Sequence, residues 1–89
     1  MPIPAITQHA RTRCQQRGFK IEFLNLFVEF GEKFRRPGNK FEIRLTKKSK
    51  EKMGRDNRKR YAQQLDKLMR KAILWDPTEN LVITVYPIC

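Results

Sequence analysis

Cysteine and histidine are scarce: the 89 residues include two cysteines, Cys14 and Cys89, and one histidine, His9. Two cysteines so irregularly spaced make no disulfide framework, and with a single histidine they make no zinc pattern. No structural metal is expected, and free thiols fit a reducing compartment. Cys14 is expected on the inner face of a helix, and Cys89 is simply the last residue. Long apolar runs are missing too. Nothing approaches the roughly 20 residues that span a bilayer, and no signal-type apolar stretch follows Met1. The expectation is a cytoplasmic protein without membrane contact. A Gly-rich phosphate loop, a placeable pair of carboxylates and a serine nucleophile motif are also absent, which sets aside nucleotide hydrolysis and hydride transfer. No cofactor is expected.

Acidic residues are the other shortage. Against 20 Lys and Arg stand 9 Asp and Glu, a formal net charge of +11. Such a charge repels itself in a small body unless a polyanion is close, so nucleic acid is the first partner class, ahead of a membrane surface or an acidic protein. The apolar fraction of 39%, with six Phe and one Trp, suffices for one core. A chain this short buries only about 60% of its unfolded surface, so one domain over residues 1–89 is expected.

Thr7 is a candidate N-cap for a helix from Gln8 to Arg17, and Gly18 stands where a left-handed residue closes one. A second helix, Lys20 to Phe30, carries Ile21, Phe23, Leu24, Leu26, Phe27, Val28 and Phe30. Only the stripe Glu22, Asn25, Glu29 is polar, so this helix must be covered on most sides. Gly31 reads as its left-handed stop. Alternation then takes over: Glu32 to Arg36 and Lys40 to Thr46 flank Arg36-Pro37-Gly38-Asn39, the pattern of a hairpin. Phe41, Ile43 and Leu45 share one face of its second strand; Glu42, Arg44 and Thr46 share the other.

Lys47 to Arg60 holds eight basic and two acidic side chains, a net +6 within the total of +11. Ser49 to Met53 is expected to form one or two helical turns interrupted at Gly54. Asp56 or Asn57 then caps a third helix reaching Met69, docked by Tyr61, Leu65 and Leu68. Two last strands, Lys71 to Asp76 and Leu81 to Tyr86, flank a turn at Pro77 to Asn80. Alternation sets Leu81, Ile83 and Val85 on one face of the last strand and Val82, Thr84 and Tyr86 on the other. The expected fold is α+β: two N-terminal helices packed on an antiparallel four-stranded sheet, with a basic helical insertion between the second and third strands.

His9, Arg13 and Arg17 recur at spacings of four and share a helical face. Neighbouring guanidinium groups and the helix N-terminus make His9 a candidate base near neutral pH, although a surface histidine beside solvated arginines has the same pattern. On the outward sheet face Arg35, Arg44, Thr84 and Tyr86 are expected to gather, cations and hydroxyls suited to a phosphate, with Tyr86 also able to stack on an RNA base. Exposed Thr and Tyr are equally at home in an ordinary strand. The expected nucleic-acid contacts are Arg35 and Arg44 together with Lys47, Lys48, Lys50, Lys52, Arg55, Arg58, Lys59 and Arg60.

Three stretches carry a resemblance: His9-Ala10-x-x-Arg13-x-x-x-Arg17-Gly18-Phe19, the apolar helix ending in Gly31, and the closing Leu81-Val82-Ile83-Thr84-Val85-Tyr86. Over nearly the whole chain, in spacing and order, they resemble a small bacterial and phage domain family placed in the fold group of barnase, EndoU, the tRNA-cutting colicins and RelE. The resemblance implies metal-independent RNA cleavage, in which a ribose 2′-OH attacks the adjacent phosphate and leaves a 2′,3′-cyclic end. Carried over by position, it makes His9 the general acid or base, Arg13 and Arg17 the phosphorane-stabilising cations, and Thr84 and Tyr86 parts of the substrate face. Histidine is often dispensable in RelE-like nucleases, which makes Tyr86 with Arg44 a second pair. The chain departs from the family in its middle, where members usually have a shorter and less basic segment, so Lys47 to Arg60 reads as an RNA-gripping addition. RNA is the expected partner, with DNA an alternative. Two other readings stand beside the nuclease: a non-catalytic RNA- or DNA-binding accessory protein on the same fold, and a basic protein-interaction module meeting an acidic antitoxin, immunity or host protein.

Overall fold

In a computed structural model, which describes residues 4–88, one threonine organises the start of the fold. Strand β1 (Ala5–Ile6) runs into Thr7, whose Oγ1 accepts from the Ala10 amide at 3.1 Å to cap helix α1 (Gln8–Gln16). The same hydroxyl donates to the Ile83 carbonyl at 2.7 Å. It thereby satisfies a helix end and ties that end to a strand far along the chain. α1 closes as expected at Gly18, φ +64°. The Phe19 amide bonds the Cys14 carbonyl at 2.8 Å and the Gly18 amide bonds the Gln15 carbonyl at 3.4 Å, the paired bonds of a Schellman end. Ala10 and Cys14 are the buried residues of α1. Burial pushes the Cys14 thiol up in pKa, against a smaller opposing pull from Arg11, which suits a packing cysteine rather than a reactive one. Cys89 lies outside the described residues.

The second helical region divides into a 3-10 turn, Ile21–Phe23, and helix α2 (Leu24–Phe30). Leu24, Leu26 and Phe27 are buried and Phe23, Val28 and Phe30 half-buried, so most sides are covered, as the composition requires. Gly31 is not the left-handed stop that its position suggests. Its φ of −68° and ψ of 151° are extended backbone. The reason for glycine is space: a Cβ there would run into the Ile43 side chain and the Phe27 carbonyl and lie 3.2 Å from the Arg44 carbonyl. Gly31→Ala is therefore expected to lower stability by roughly 1–3 kcal/mol, the usual cost of overpacking a filled core. Chemical denaturation measures this, and a midpoint equal to wild type would mean that the junction has room to give.

Among the described residues the sheet has five strands in the order β1-β5-β4-β3-β2, with β2 at Glu32–Arg36, β3 at Lys40–Arg44, β4 at Lys71–Asp76 and β5 at Leu81–Pro87. β2 to β5 form an antiparallel run. The expectation of a four-stranded antiparallel sheet falls one strand short, because Ala5 and Ile6 pair in parallel with Leu81 and Val82 and make the sheet mixed. A two-residue strand has no alternation to detect. Face assignment on β5 is also corrected. Leu74 faces Thr84 while Trp75 faces Val82, so Ile83 is an extra, bulged residue. A bulge breaks strict alternation. The buried residues of β5 are accordingly Val82 and Val85, three apart, rather than Leu81, Ile83 and Val85.

Between β3 and β4 the basic segment forms α3 (Lys47–Arg60) and α4 (Ala62–Leu68). Thr46 caps α3 through a reciprocal box with Ser49, and Gly54, at φ 78° and ψ 171°, kinks the helix where an interruption is expected. The third helix does not run unbroken to Met69. It divides at Tyr61, φ −108° and ψ 15°, whose ring meets Phe23 edge-on at 6.0 Å. Ser49 and Met53 are the buried residues of α3, and Leu65 and Leu68 those of α4. One core joins the helices to Ile43, Ile73, Val82 and Val85, all on one side of the sheet. The other side is left without a helix. No helix among the described residues is long and apolar enough to cross a membrane.

Candidate nucleic-acid interface

Strand register sets the chemistry of the open side. Phe34, Glu42, Leu74 and Thr84 stand opposite one another across four strands, and Glu32, Arg44, Ala72 and Tyr86 make the next row. Alternate positions along a strand point the same way, so Arg36 joins this face while Ile43, Ile73 and Val85 point into the core. Glu42 is at its centre and only 3% exposed, although no helix lies over it. Its Oε1 accepts from Arg44 Nε at 2.7 Å and lies 2.7 Å from Arg44 Nη2. Its Oε2 accepts from the Tyr86 hydroxyl and lies 3.2 Å from Arg36 Nη2. Ala72, between Arg44 and Tyr86 in the row, offers only a methyl group, which leaves the phenol room to span β4 and reach the carboxylate.

Burial by itself pushes the Glu42 carboxyl up in pKa. Hydrogen bonds from Tyr86, Arg44 and Arg36, with the Arg44 charge, outweigh that and hold it below the usual glutamate value. The Tyr86 phenol is pushed up to about 12 by burial and by its bond to the Glu42 anion. At neutral pH the cluster is therefore one carboxylate, two guanidinium groups and a neutral phenol. The arginine side chains are 49% and 38% exposed, so each has donors left for a ligand. Beside them Phe34 is 42% exposed, with the Arg44 guanidinium 5.6 Å from its ring centroid, a flat apolar surface of the kind on which a base stacks. A carboxylate, a phenol and two guanidinium groups thus meet around one oxygen pair.

The basic helix adds charge without chemistry. Lys47, Lys48, Lys52, Arg55, Arg58, Lys59 and Arg60 are exposed and Lys50 is half-buried. Among the described residues none of the eight makes an ion pair. Like charges this close along a helix repel one another, and a polyanion relieves that.

Of the residues expected on the outward face, Arg44, Thr84 and Tyr86 share it. Arg35 does not. Its register partner is Phe41, which turns it toward the helix side, where its Nη2 donates to Asn39 Oδ1 at 3.2 Å; Arg36 takes the expected place. Glu-Lys-Phe-Arg-Arg has no hydrophobic face by which β2 alone could fix its parity. His9 and Arg17 are exposed on or just beyond α1, and Arg13 is half-buried. Because α1 packs through Ala10 and Cys14 on the helix-covered side, this trio and the Glu42 cluster lie on opposite sides of the sheet. Glu42 escapes sequence reasoning as a site residue, since a lone glutamate in a strand makes no motif. The signal present is a carboxylate two residues from Arg44 on the polar face of an otherwise cationic hairpin. Compared with family models, with curated proteins and with solved structures, the chain matches none.

Proposed function

We propose that this chain binds RNA through α3 on the helix side and the open face on the other side of the sheet, and cleaves it on the open face without a metal, by 2′-OH attack that leaves a 2′,3′-cyclic phosphate. The observation that carries the proposal is Glu42, a buried carboxylate ringed by two arginines and a phenol on a sheet face open to solvent. Stability alone is a poor reason for such a group, since buried ion pairs are commonly replaceable by apolar residues at no loss. A backbone phosphate would take the free donors of Arg36 and Arg44. Their bonds to Glu42 then weaken and a second anion arrives, and both changes raise the proton affinity of the carboxylate. Glu42 takes the 2′ proton, the 2′ oxygen bonds to phosphorus, and the bond from phosphorus to O5′ breaks. Tyr86, neutral well above pH 7, releases Glu42 Oε2 to give its proton to O5′ and then recovers one from the protonated Glu42, while the arginines hold the phosphorane charge. The resemblance to the barnase, EndoU, colicin and RelE fold group supports this chemistry, with His9, Arg13 and Arg17 as the rival site. Labelled RNA incubated with the protein in chelator is expected to give cyclic-phosphate ends; no cleavage in chelator or in magnesium would remove the nuclease.

RNA affinity is expected to fall steeply with salt, with a log-log slope of about −0.7 per neutralised phosphate for a single strand. Replacing Lys47, Lys48, Arg58 and Arg60 together by Ala should flatten that slope and weaken all sequences alike, because phosphate contacts carry no base information. Filter binding across a salt series measures both, and a wild-type slope near zero would exclude the electrostatic interface. A non-catalytic RNA binder on the same fold is the second reading. It is favoured by the occupancy of both Glu42 oxygens, as in a purely structural network, and it predicts the same salt slope with no cleavage.

A further inference from the structure

A cleft of about 530 Å³ opens between the end of α1, the 3-10 turn, α4 and the start of β4, and shares no residue with the Glu42 cluster. The volume falls within the roughly 300–1,000 Å³ of small-molecule sites. Arg17, Lys20, Lys67, Arg70 and Lys71 line it, and no carboxylate does. Its apolar wall is the half-buried Phe23, backed by the buried Phe19 and Leu68, with the two rings meeting edge to face at 6.3 Å. Gln64, half-buried, also lines the cleft.

Each feature narrows the ligand. Five like charges around one concavity focus a positive potential that an anion neutralises. A bare phosphate would use those cations and leave the aromatic wall unserved. An apolar ligand would do the reverse. We propose that this cleft binds one phosphate-bearing nucleotide, its base against Phe23 and its phosphate among the cations. The site stands whether or not the Glu42 cluster cleaves RNA.

Titrating ¹⁵N-labelled protein with adenosine monophosphate, adenosine and inorganic phosphate tests the assignment. The monophosphate is expected to shift the Gln64 side-chain amide and the Gly18 and Phe19 backbone amides, and to bind at least about ten-fold tighter than either fragment. Lys67→Ala with Arg70→Ala, both exposed positions, should weaken the monophosphate by about ten-fold or more. Inorganic phosphate binding as tightly as the nucleotide would reduce the cleft to an anion site and overturn the proposal. So would nucleotide shifts confined to α3, or an unchanged affinity in the double variant. Deoxyoligonucleotides, which lack the 2′-OH and resist cleavage, separate the sources. Shifts at Gln64 with and without a 5′-phosphate mark a unit inside a strand; shifts only with it mark a terminal or free nucleotide.

Discussion

Glu42→Gln is expected to slow RNA cleavage by about 100-fold or more, the typical contribution of a general base. The fold should survive, because Gln keeps the shape and an acceptor oxygen, and Arg36 and Arg44 are both solvated enough to stand without a carboxylate. RNA affinity should hold or rise as those arginines are freed for phosphate. The pH profile makes the result specific. Glu42 acts when deprotonated, and its pKa in the free protein is held below the usual value, so kcat/KM should fall only as pH drops below the ordinary carboxylate range. The corresponding limb in kcat should lie at higher pH, because bound phosphate competes for the arginines that hold the carboxyl low. Glu42→Gln should remove the limb from both. His9→Ala is the control, expected to cleave at the wild-type rate. If His9→Ala abolishes cleavage while Glu42→Gln leaves it intact, the active site is on α1 and the sheet cluster is structural.

Phe27→Ala is expected to destabilise the protein by roughly 3–5 kcal/mol, the range for emptying a buried aromatic site. Phe27 is fully buried, its ring 5.7 Å from that of Phe19, and its carbonyl accepts from the Gly31 amide at 2.8 Å at the helix end. Truncation leaves a cavity where α2 meets β3, and the rigid junction at Gly31 prevents the helix from closing over it. A loss of that size approaches the whole stability of many small domains, about 5–15 kcal/mol. Denaturant unfolding followed by far-UV circular dichroism measures it. An unfolding midpoint matching wild type would mean that α2 does not anchor the core.

The sequence by itself determined what neighbours within a few residues decide. Thr7 and Gly18 bound α1, Gly38 and Asn39 make the β2–β3 turn with φ of 80° and 58°, and the eight cations of α3 come from one stretch of chain. Each depends on local backbone preference or composition, so each is legible in order along the chain. Tertiary structure decided whatever rests on strand register. The parallel pairing of β1, the bulge at Ile83 and the parity that exposes Arg36 rather than Arg35 follow from pairing with other strands. A shift of one residue sends every side chain to the opposite face, and a polar strand such as β2 carries no hydrophobic pattern to forbid it. Even Gly31 owes its place to Ile43 across the core and not to a turn. The Glu42 cluster is the sharpest case. Arg36, Glu42, Arg44 and Tyr86 come from three strands, and Tyr86 stands 44 positions from Glu42. No spacing along the chain encodes a contact that exists only because β4, with the small Ala72 in its row, lies between them.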